Sequence, residues 1–446
     1  MFGEGMMKIT NTLTGKKEAL QPNSEGVITF YACGITPSNY AHVGHGRCYV
    51  LFDVLYRFLK SQNRPVTYCR NITDIDDKLL DAAKKRGPHV SYKEVADEYL
   101  NYFFEDMEML ACQFPDQQPR ATQVIPETIA FIEGLINKGH AYAVDGDVYF
   151  SVKSFADYGK LSKRALEDMQ AGARVQVNDK KKDPFDFALW KSEAEGTFWK
   201  SPWGYGRPGW HIECSVMVDT FLGKSISLHG GGMDLIFPHH ENEIAQSESL
   251  FGCQFAHNWM HVAFVQVNQE KMSKSVGNFF TLREVFEKFD PMVVRFYILK
   301  HHYRSPLEFS YTELEAAEKA YRKLCKAFDH KQCPAKLSAQ CSVTVPVLCK
   351  MIDFLEDDLN TVGALGVVFE YLDKMGDEVC VIKSFLKDIL GLSLEPLPEK
   401  MVEMTPEIHA LLEQREQARA QKDWARSDLL RDQLAALGYN VQDKKL

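Results

Sequence analysis

Cys33-Gly34-Ile35-Thr36-Pro37-Ser38-Asn39-Tyr40-Ala41-His42-Val43-Gly44-His45 joins two segments of different periodicity. Upstream, Val27-Ile28-Thr29-Phe30-Tyr31 is a short apolar run of β-branched and aromatic residues, which predicts a buried strand. Downstream, Val50, Leu51, Val54, Leu55, Phe58 and Leu59 recur at helical spacing, which predicts a helix from about Gly44. The stretch is therefore a strand-to-helix loop with a thiol at the strand end and two histidines at the helix start. Helix N-termini attract anions, because free N–H groups and the macrodipole face the ligand, and paired imidazoles there can donate to phosphate oxygens. Taken alone, His42-x-x-His45 is more simply a pair of surface histidines.

Working outward, Pro65-Val66-Thr67-Tyr68-Cys69-Arg70 predicts a second strand. A helix follows, with Thr73 or Asp74 as its expected cap and Asp76 and Asp77 in its first turn. Strand, helix, strand, helix opens a parallel α/β sheet, whose ligands sit beyond the carboxyl ends of the strands, where Cys33 and both histidines lie. From about Ser91 the texture changes. Helices are predicted near 91–111 and 125–138, with a Pro- and Gln-rich linker between them, and Asp145-Gly146 marks a hairpin. Lys180-Lys181-Lys182 reads as a solvated loop, and the whole region reads as an insertion into the sheet domain.

Beyond the insertion, His229-Gly230-Gly231-Gly232 allows close backbone approach to a ligand. Pro238 suits the first position of a helix, which would put His239 and Glu243 at i and i+4, a spacing at which two side chains can share a metal. Lys271-Met272-Ser273-Lys274-Ser275 is a basic loop between the apolar run Val262–Val265 and a helix predicted at 281–289. Two lysines and two hydroxyls there can neutralise polyphosphate charge, although a solvated turn is the plainer reading. Tyr311–Phe328, Val347–Leu372 and Val379–Leu390 read as helices, with linkers near 338–345 and 394–398. Arg415, Arg419, Lys422 and Arg426 recur at 4, 3, 4 spacing, predicting one helix face with Trp424 beside it. Positions 401–446 carry seven Lys or Arg against eight Asp or Glu, so a salt-bridged exposed helix competes with a basic binding face.

At 446 residues the chain can hold two to four domains, and 45% hydrophobic with 25% charged residues is ordinary for a soluble protein. No apolar run reaches bilayer-spanning length, and the N-terminus lacks a secretory h-region. A cytoplasmic location is therefore expected. Eleven cysteines are too sparse for a disulfide scaffold and fit free or metal-bound thiols in a reducing compartment. The net charge of −9 argues against bulk polyanion binding but leaves local patches open.

Each signal is weak alone, but their order is specific. His42-Val43-Gly44-His45 followed by Lys271-Met272-Ser273-Lys274-Ser275 resembles the paired signatures of class I aminoacyl-tRNA synthetases. Cys33-Gly34-Ile35-Thr36, Asn71–Lys78, Gly209–Cys214 and His229–Glu243 narrow the resemblance to cysteinyl-tRNA synthetases, over nearly the whole chain from Lys8 to Asp443. It implies a Rossmann-like α/β catalytic domain with an inserted connective domain and an α-helical C-terminal half. The implied divisions are 1–110 and 201–262 (catalytic halves), 111–200 (insert), 263–310 (stem-contact region), 311–398 (helical bundle) and 399–446 (anticodon-binding domain).

The resemblance also implies ATP-dependent activation of L-cysteine and its transfer to the 3′ end of a cysteine tRNA by a monomer, with no membrane partner. It further implies one Zn2+ per chain and Mg2+ with ATP. Cys33, Cys214, His239 and Glu243 match the zinc ligands of the family. His42 and His45 match its ATP-phosphate histidines, Lys271 and Lys274 its catalytic loop lysines, and Gly44, Gly231 and Asp234 its nucleotide contacts. Thr73, Trp210 and His211 match positions of the amino-acid pocket, and Arg419, Trp424 and Asp443 fall in the anticodon-reading segment. Val43 replaces the usual Ile, a few residues precede the usual start, and the chain stops at Leu446 without the tail of many relatives.

Three alternatives compete: a ligase of the same fold joining cysteine to an amino sugar, a zinc-stabilised RNA-binding protein, and a small-molecule nucleotidyltransferase. The helical segment 311–446 speaks against the first, His42, His45 and Lys274 against the second, and the putting together of four metal-ligand residues against the third.

Overall fold

The computed structural model describes residues 6–164, 179–272, 278–329, 346–373, 376, 378–398, 404–437, 439 and 441. The chain divides into Met1–Glu395 and Pro396–Leu446.

At the centre of the first unit is a four-stranded parallel sheet in the order Ala256–Val262, Ile226–Gly232, Ile28–Ile35, Val66–Ile72. Covered on both faces, such strands read as continuous apolar runs, which is how the first and second of these in chain order, Ile28–Ile35 and Val66–Ile72, are legible in the sequence. Alternation sorts their side chains. Phe30 and its register partner Tyr68 stack at 4.5 Å, and Phe30 meets Phe52 of the Val43–Ser61 helix. Tyr31 and Cys69 point the other way, into a core with Ile212 and Met217 of the Trp210–Leu222 helix. Cys33 shares that second core, whereas the Val43–Ser61 helix that follows the two histidines' turn packs Phe52 against Phe30.

The Val43–Ser61 helix opens one residue before the expected start and is capped reciprocally by the two histidines: the His42 ring accepts from His45 N, and the His45 ring accepts from His42 N. The next helix corrects the expected cap. Neither Thr73 nor Asp74 caps Asp77–Arg86; Asp76 does, accepting from Lys78 N. Asp74 instead accepts from Thr122 N and Oγ1, and Thr73 N donates to Ile35 O, so tertiary partners claim both residues. Tyr92–Met109 and Ile125–Asn137 form as expected, the former with a Ser91–Glu94 capping box.

The region of the insertion forms a five-stranded antiparallel sheet in the order Ala141–Val144, Asp147–Phe150, Phe187–Ser192, Gly204–Pro208, Trp199–Ser201, which runs past the expected boundary at residue 200. Its hairpin turns at Asp145 and Gly146, both at positive φ. The lysine run is less free than a solvated loop: Lys180 pairs with Asp147 and Lys182 lies over the Tyr142 ring. Two residues of the five-stranded sheet, Lys191 and Arg207, clamp Asp77 at the start of the Asp77–Arg86 helix.

Beyond the basic loop, Tyr311–Phe328 is helical as predicted, but the helix expected over Val347–Leu372 is two, Pro346–Glu356 and Thr361–Tyr371. Asp358 and Leu359 take positive φ between them. The cause is Asp358, whose buried carboxylate receives Thr10 N, Thr10 Oγ1 and Arg304 and also the Tyr303 hydroxyl. Those distant donors pull it out of helical geometry. Val379–Ser384 continues as a wide turn through Ile389. Eight cysteines among the described residues are free thiols, as expected, whereas Cys380 is disulfide-bonded.

The second unit contains Pro406–Ala420 and Trp424–Ala436. Lys422, at φ 62°, breaks the helix, and Asp423 accepts from Arg426 N to start the next. Arg415, Arg419, Lys422 and Arg426 therefore do not share one helix face. Arg415 is buried, whereas Trp424 is exposed.

Candidate functional site

Four side chains from three elements meet beyond the carboxyl end of the central strands. Cys33 lies two residues before the end of the strand Ile28–Ile35, Cys214 lies one turn into the Trp210–Leu222 helix, and His239 and Glu243 come from one helical turn and the helix Glu241–Phe251 that continues it. Phe237 is extended just before Pro238, so the i, i+4 relation read from the sequence is realised. The Cys33 and Cys214 sulfurs are 4.0 Å apart, Cys214 Sγ is 3.4 Å from His239 Nε2, and His239 Nε2 is 3.1 Å from Glu243 Oε1. Glu243 Oε1 closes the ring at 3.7 Å from Cys33 Sγ.

All four are buried. Burial pushes the Cys33 thiol and the Glu243 carboxyl well above their usual pKa ranges, and it holds the His239 imidazole well below its own. Cys33, Glu243 and His239 thus favour their neutral forms, and a divalent cation at the centre of the tetrad would reverse that preference for Cys33 and Glu243. Two sulfurs, one nitrogen and one oxygen within 4.8 Å of one another are a donor set that fits zinc.

Around this tetrad lies a ring of imidazoles, most of which sequence reasoning missed. His229 Nε2 is 2.8 Å from Glu243 Oε2, and His211 Nδ1 is 2.9 Å from His239 Nδ1. His240 Nε2 is 3.3 Å from Cys33 Sγ, and its Nδ1 is 2.8 Å from His261 Nε2. Burial drives the pKa of His211, His229 and His261 each down to about 3, so these rings are neutral. Cys33, His229, His240 and Glu243 form a second set close enough to hold an ion. His229 and His261 lie on adjacent strands, with Gly231 opposite His261, and a side chain on Gly231 would strike the His240 ring at 2.8 Å. The signal available in sequence was the glycine run flanked by histidine; the pairing partner was not.

Trp210 lies on the same side, its ring stacked on His239 at 4.2 Å, with the Lys78 ammonium 5.8 Å from its centroid. Thr73 Oγ1 accepts from Asn71 Nδ2, while Asn71 Oδ1 accepts from Gly34 N, which ties this segment to the strand that bears Cys33. No residue larger than glycine fits at 34, because a Cβ would lie 1.6 Å from Asn71 O.

Further along the loop, the His42 and His45 rings stack at 3.6 Å. Gly44 permits this stacking, since a Cβ there would sit 2.9 Å from the His42 ring. The segment following the basic loop is joined to the same turn: Val43 N donates to Phe280 O, and Phe279 packs edge-on against His42. Lys271 closes a short strand with its ammonium 4.0 Å from the Phe264 centroid. Asp234 lies in the turn after Gly232. Lys274 and Asp443 lie outside the described residues, and Arg419 and Trp424 belong to the second unit. No helix among the described residues is long and apolar enough to cross a membrane.

Residues 19–319 match the family model of the class I (C) tRNA synthetase catalytic domain, and residues 401–446 match that of the cysteinyl-tRNA ligase anticodon binding domain. The chain is 44% identical over 457 residues to a cysteine–tRNA ligase of Caldicellulosiruptor saccharolyticus, covering 98% of each chain. It is 42% identical over 480 residues to one of Trichlorobacter lovleyi, again covering 98% of each. Among solved structures, a Mycobacterium tuberculosis methionyl-tRNA synthetase bound by methionyl-adenylate aligns with TM-score 0.57 over 90% of this chain and 96% of that one. Identity there is 14%, so this last likeness speaks for the fold alone.

Proposed function

Because the chain belongs to the cysteinyl-tRNA synthetases, a class I aminoacyl-tRNA synthetase family, we propose that it joins L-cysteine to the 3′ end of a cysteine tRNA at the expense of ATP. The observation that carries this reading is the buried Cys33–Cys214–His239–Glu243 tetrad beside Trp210, one loop away from the stacked His42–His45 pair.

In the first step the cysteine carboxylate attacks the α-phosphorus of ATP. A new O–P bond forms, and the bond to the bridging oxygen breaks as pyrophosphate leaves, whose charge Mg2+ would help to neutralise. The nucleophile is already ionised, so no general base is needed and the protein's part is alignment and charge stabilisation. His42, His45, Lys271 and Lys274 take the phosphate charge, while Gly44, Gly231 and Asp234 border the nucleotide. In the second step a hydroxyl of the tRNA's terminal ribose attacks the activated carbonyl and AMP departs.

Cys33, Cys214, His239 and Glu243 would hold zinc, which would offer the substrate thiol a metal–sulfur bond that serine and alanine cannot make. Bond chemistry then does what an apolar pocket achieves only weakly. Thr73, Trp210 and His211 border the amino acid. We assign 1–110 and 201–262 to catalysis, 111–200 to the acceptor end, 263–310 to stem contact, 311–398 to tRNA binding and 399–446, with Arg419, Trp424 and Asp443, to the anticodon. A cytoplasmic monomer is the form we propose.

Charging of a cysteine tRNA transcript, wild-type and with its anticodon changed, tests the reading. Charging that falls with the altered anticodon supports it in full; no charging, with cysteine-dependent pyrophosphate exchange intact, would move the assignment to a cysteine:amino-sugar ligase. Lys274→Ala is expected to lower pyrophosphate exchange at least about a hundredfold while leaving zinc content unchanged. Metal loss in that variant would sink the role given to Lys274.

A further inference from the structure

One line of hydrogen bonds leaves the tetrad and ends near the surface. Cys33 Sγ is 3.3 Å from His240 Nε2, His240 Nδ1 is 2.8 Å from His261 Nε2, and His261 Nδ1 is 2.7 Å from Thr12 Oγ1. Thr12 is only partly buried and follows the strand Lys8–Asn11, which pairs antiparallel with Lys16–Ala19; its N–H donates to Trp259 O of the central sheet. The rings between are fully enclosed: His240 packs against His229 and Trp259, and His261 lies parallel to Trp259. No role in the reaction proposed above requires Thr12 or His261.

We propose that Thr12 and His261 are positioning residues that set the tautomer of His240, so that its Nε2–H is aimed at the Cys33 sulfur. This rests on the reading of Cys33 as a zinc ligand. The direction of the line follows from its inner end. A metal-bound thiolate has no proton to give and can only accept, so His240 Nε2 carries the hydrogen. A neutral imidazole then accepts at its other nitrogen, so His261 Nε2–H donates to His240 Nδ1. His261 in turn accepts at Nδ1, and the terminal donor is the Thr12 hydroxyl.

The same logic separates the two overlapping ligand sets. With a proton on Nε2, His240 has no lone pair on the nitrogen that faces Cys33, so this assignment predicts Cys33, Cys214, His239 and Glu243 as the ligands rather than Cys33, His229, His240 and Glu243. His239 is set the opposite way. Its Nε2 faces Cys214 and Glu243, and its Nδ1 faces His211, to which it donates when Nε2 is free to ligate. Two adjacent histidines on one helical turn thereby hold opposite tautomers, one as ligand and one as hydrogen-bond donor to a ligand.

The test uses the full chain with zinc or cobalt. Thr12→Val keeps the side-chain shape and removes the donor; Thr12→Ser keeps the donor. Thr12→Val is expected to bind one ion per chain with zinc affinity about tenfold lower by chelator competition. The thiolate-to-cobalt charge-transfer band should move to lower energy, because sulfur loses part of a hydrogen bond, and Thr12→Ser should restore both. His261→Phe, which keeps a ring and deletes both nitrogens, should change both readouts in the same sense and further. Wild-type band and affinity in Thr12→Val and His261→Phe would overturn the proposal while leaving the zinc ligands standing. A wild-type cobalt band of one-thiolate intensity would overturn it by placing His240 among the ligands. Absence of any thiolate band in the wild type would overturn the reading of Cys33 and this inference with it.

Discussion

Cys214→Ser is expected to abolish the zinc binding proposed above and, with it, cysteine-dependent pyrophosphate exchange. Cys214 is 1% exposed and sits 3.4 Å from His239 Nε2, inside the ring of donors. A serine hydroxyl is shorter, harder and far less acidic than a thiol, so the set would lose one of its two soft ligands. Removing a partner outside the ligand sphere typically costs about 10–100-fold in affinity, and loss of a ligand should exceed the upper end of that range. Chelator competition and metal content per chain measure the first effect; exchange with cysteine present measures the second. Circular dichroism should be unchanged, since one sulfur-to-oxygen change leaves the apolar contacts of Ile212 and Met217 in place. Wild-type zinc affinity in this variant would remove Cys214 from the ligand set.

The largest effect on stability is expected far from the chemistry, at Arg295→Met. Arg295 is fully buried in the Pro291–Leu299 helix, and its guanidinium meets Asp53 of the Val43–Ser61 helix at 2.5 Å. It also donates to Leu390 O and Leu110 O, each at 2.7 Å. One side chain therefore closes the ends of two further segments onto the helix that begins with His42 and His45. The space is tight: a Cβ at Gly391 would lie 2.4 Å from the guanidinium, so the loop at 391 is shaped around it.

Deleting the cation leaves two buried carbonyls without this donor and the Asp53 carboxylate with Arg57 and Gln113 N as its remaining partners among the described residues. Breaking a buried pair from one side costs about 3–5 kcal/mol, most of it the cost of the charge left behind. Unfolding followed in urea should show the first unit's midpoint falling accordingly. Arg295→Met combined with Asp53→Leu should recover much of the loss, because it removes the stranded charge as well. An unmoved midpoint in the single variant would show that Asp53 is satisfied without Arg295.

What the sequence determined by itself was local. The apolar runs at Ile28 and Val66, the Ser91 and Asp145-Gly146 signals and the helix start beside Gly44 all depend on neighbours within a few residues, and the structure realises them. The family resemblance named the four tetrad residues, but only as scattered letters. Their meeting depends on the sheet order, which sets the strand of Ile226–Gly232 beside that of Cys33.

Tertiary structure alone decided the points where a distant partner outbid a local preference. Asp74 left the cap to Asp76 because Thr122 offered it two donors. Asp358 broke a periodic helix because Thr10, some 348 residues away, reaches it through both a backbone and a hydroxyl donor. Lys422 split the basic repeat because its backbone is left-handed there. Thr12, His229 and His261 carry no signature of their own, since a histidine's role is set by what faces each ring nitrogen. Periodicity and capping are short-range and can be read along the chain. Hydrogen-bond direction and charge burial belong to pairs of residues that only folding brings together.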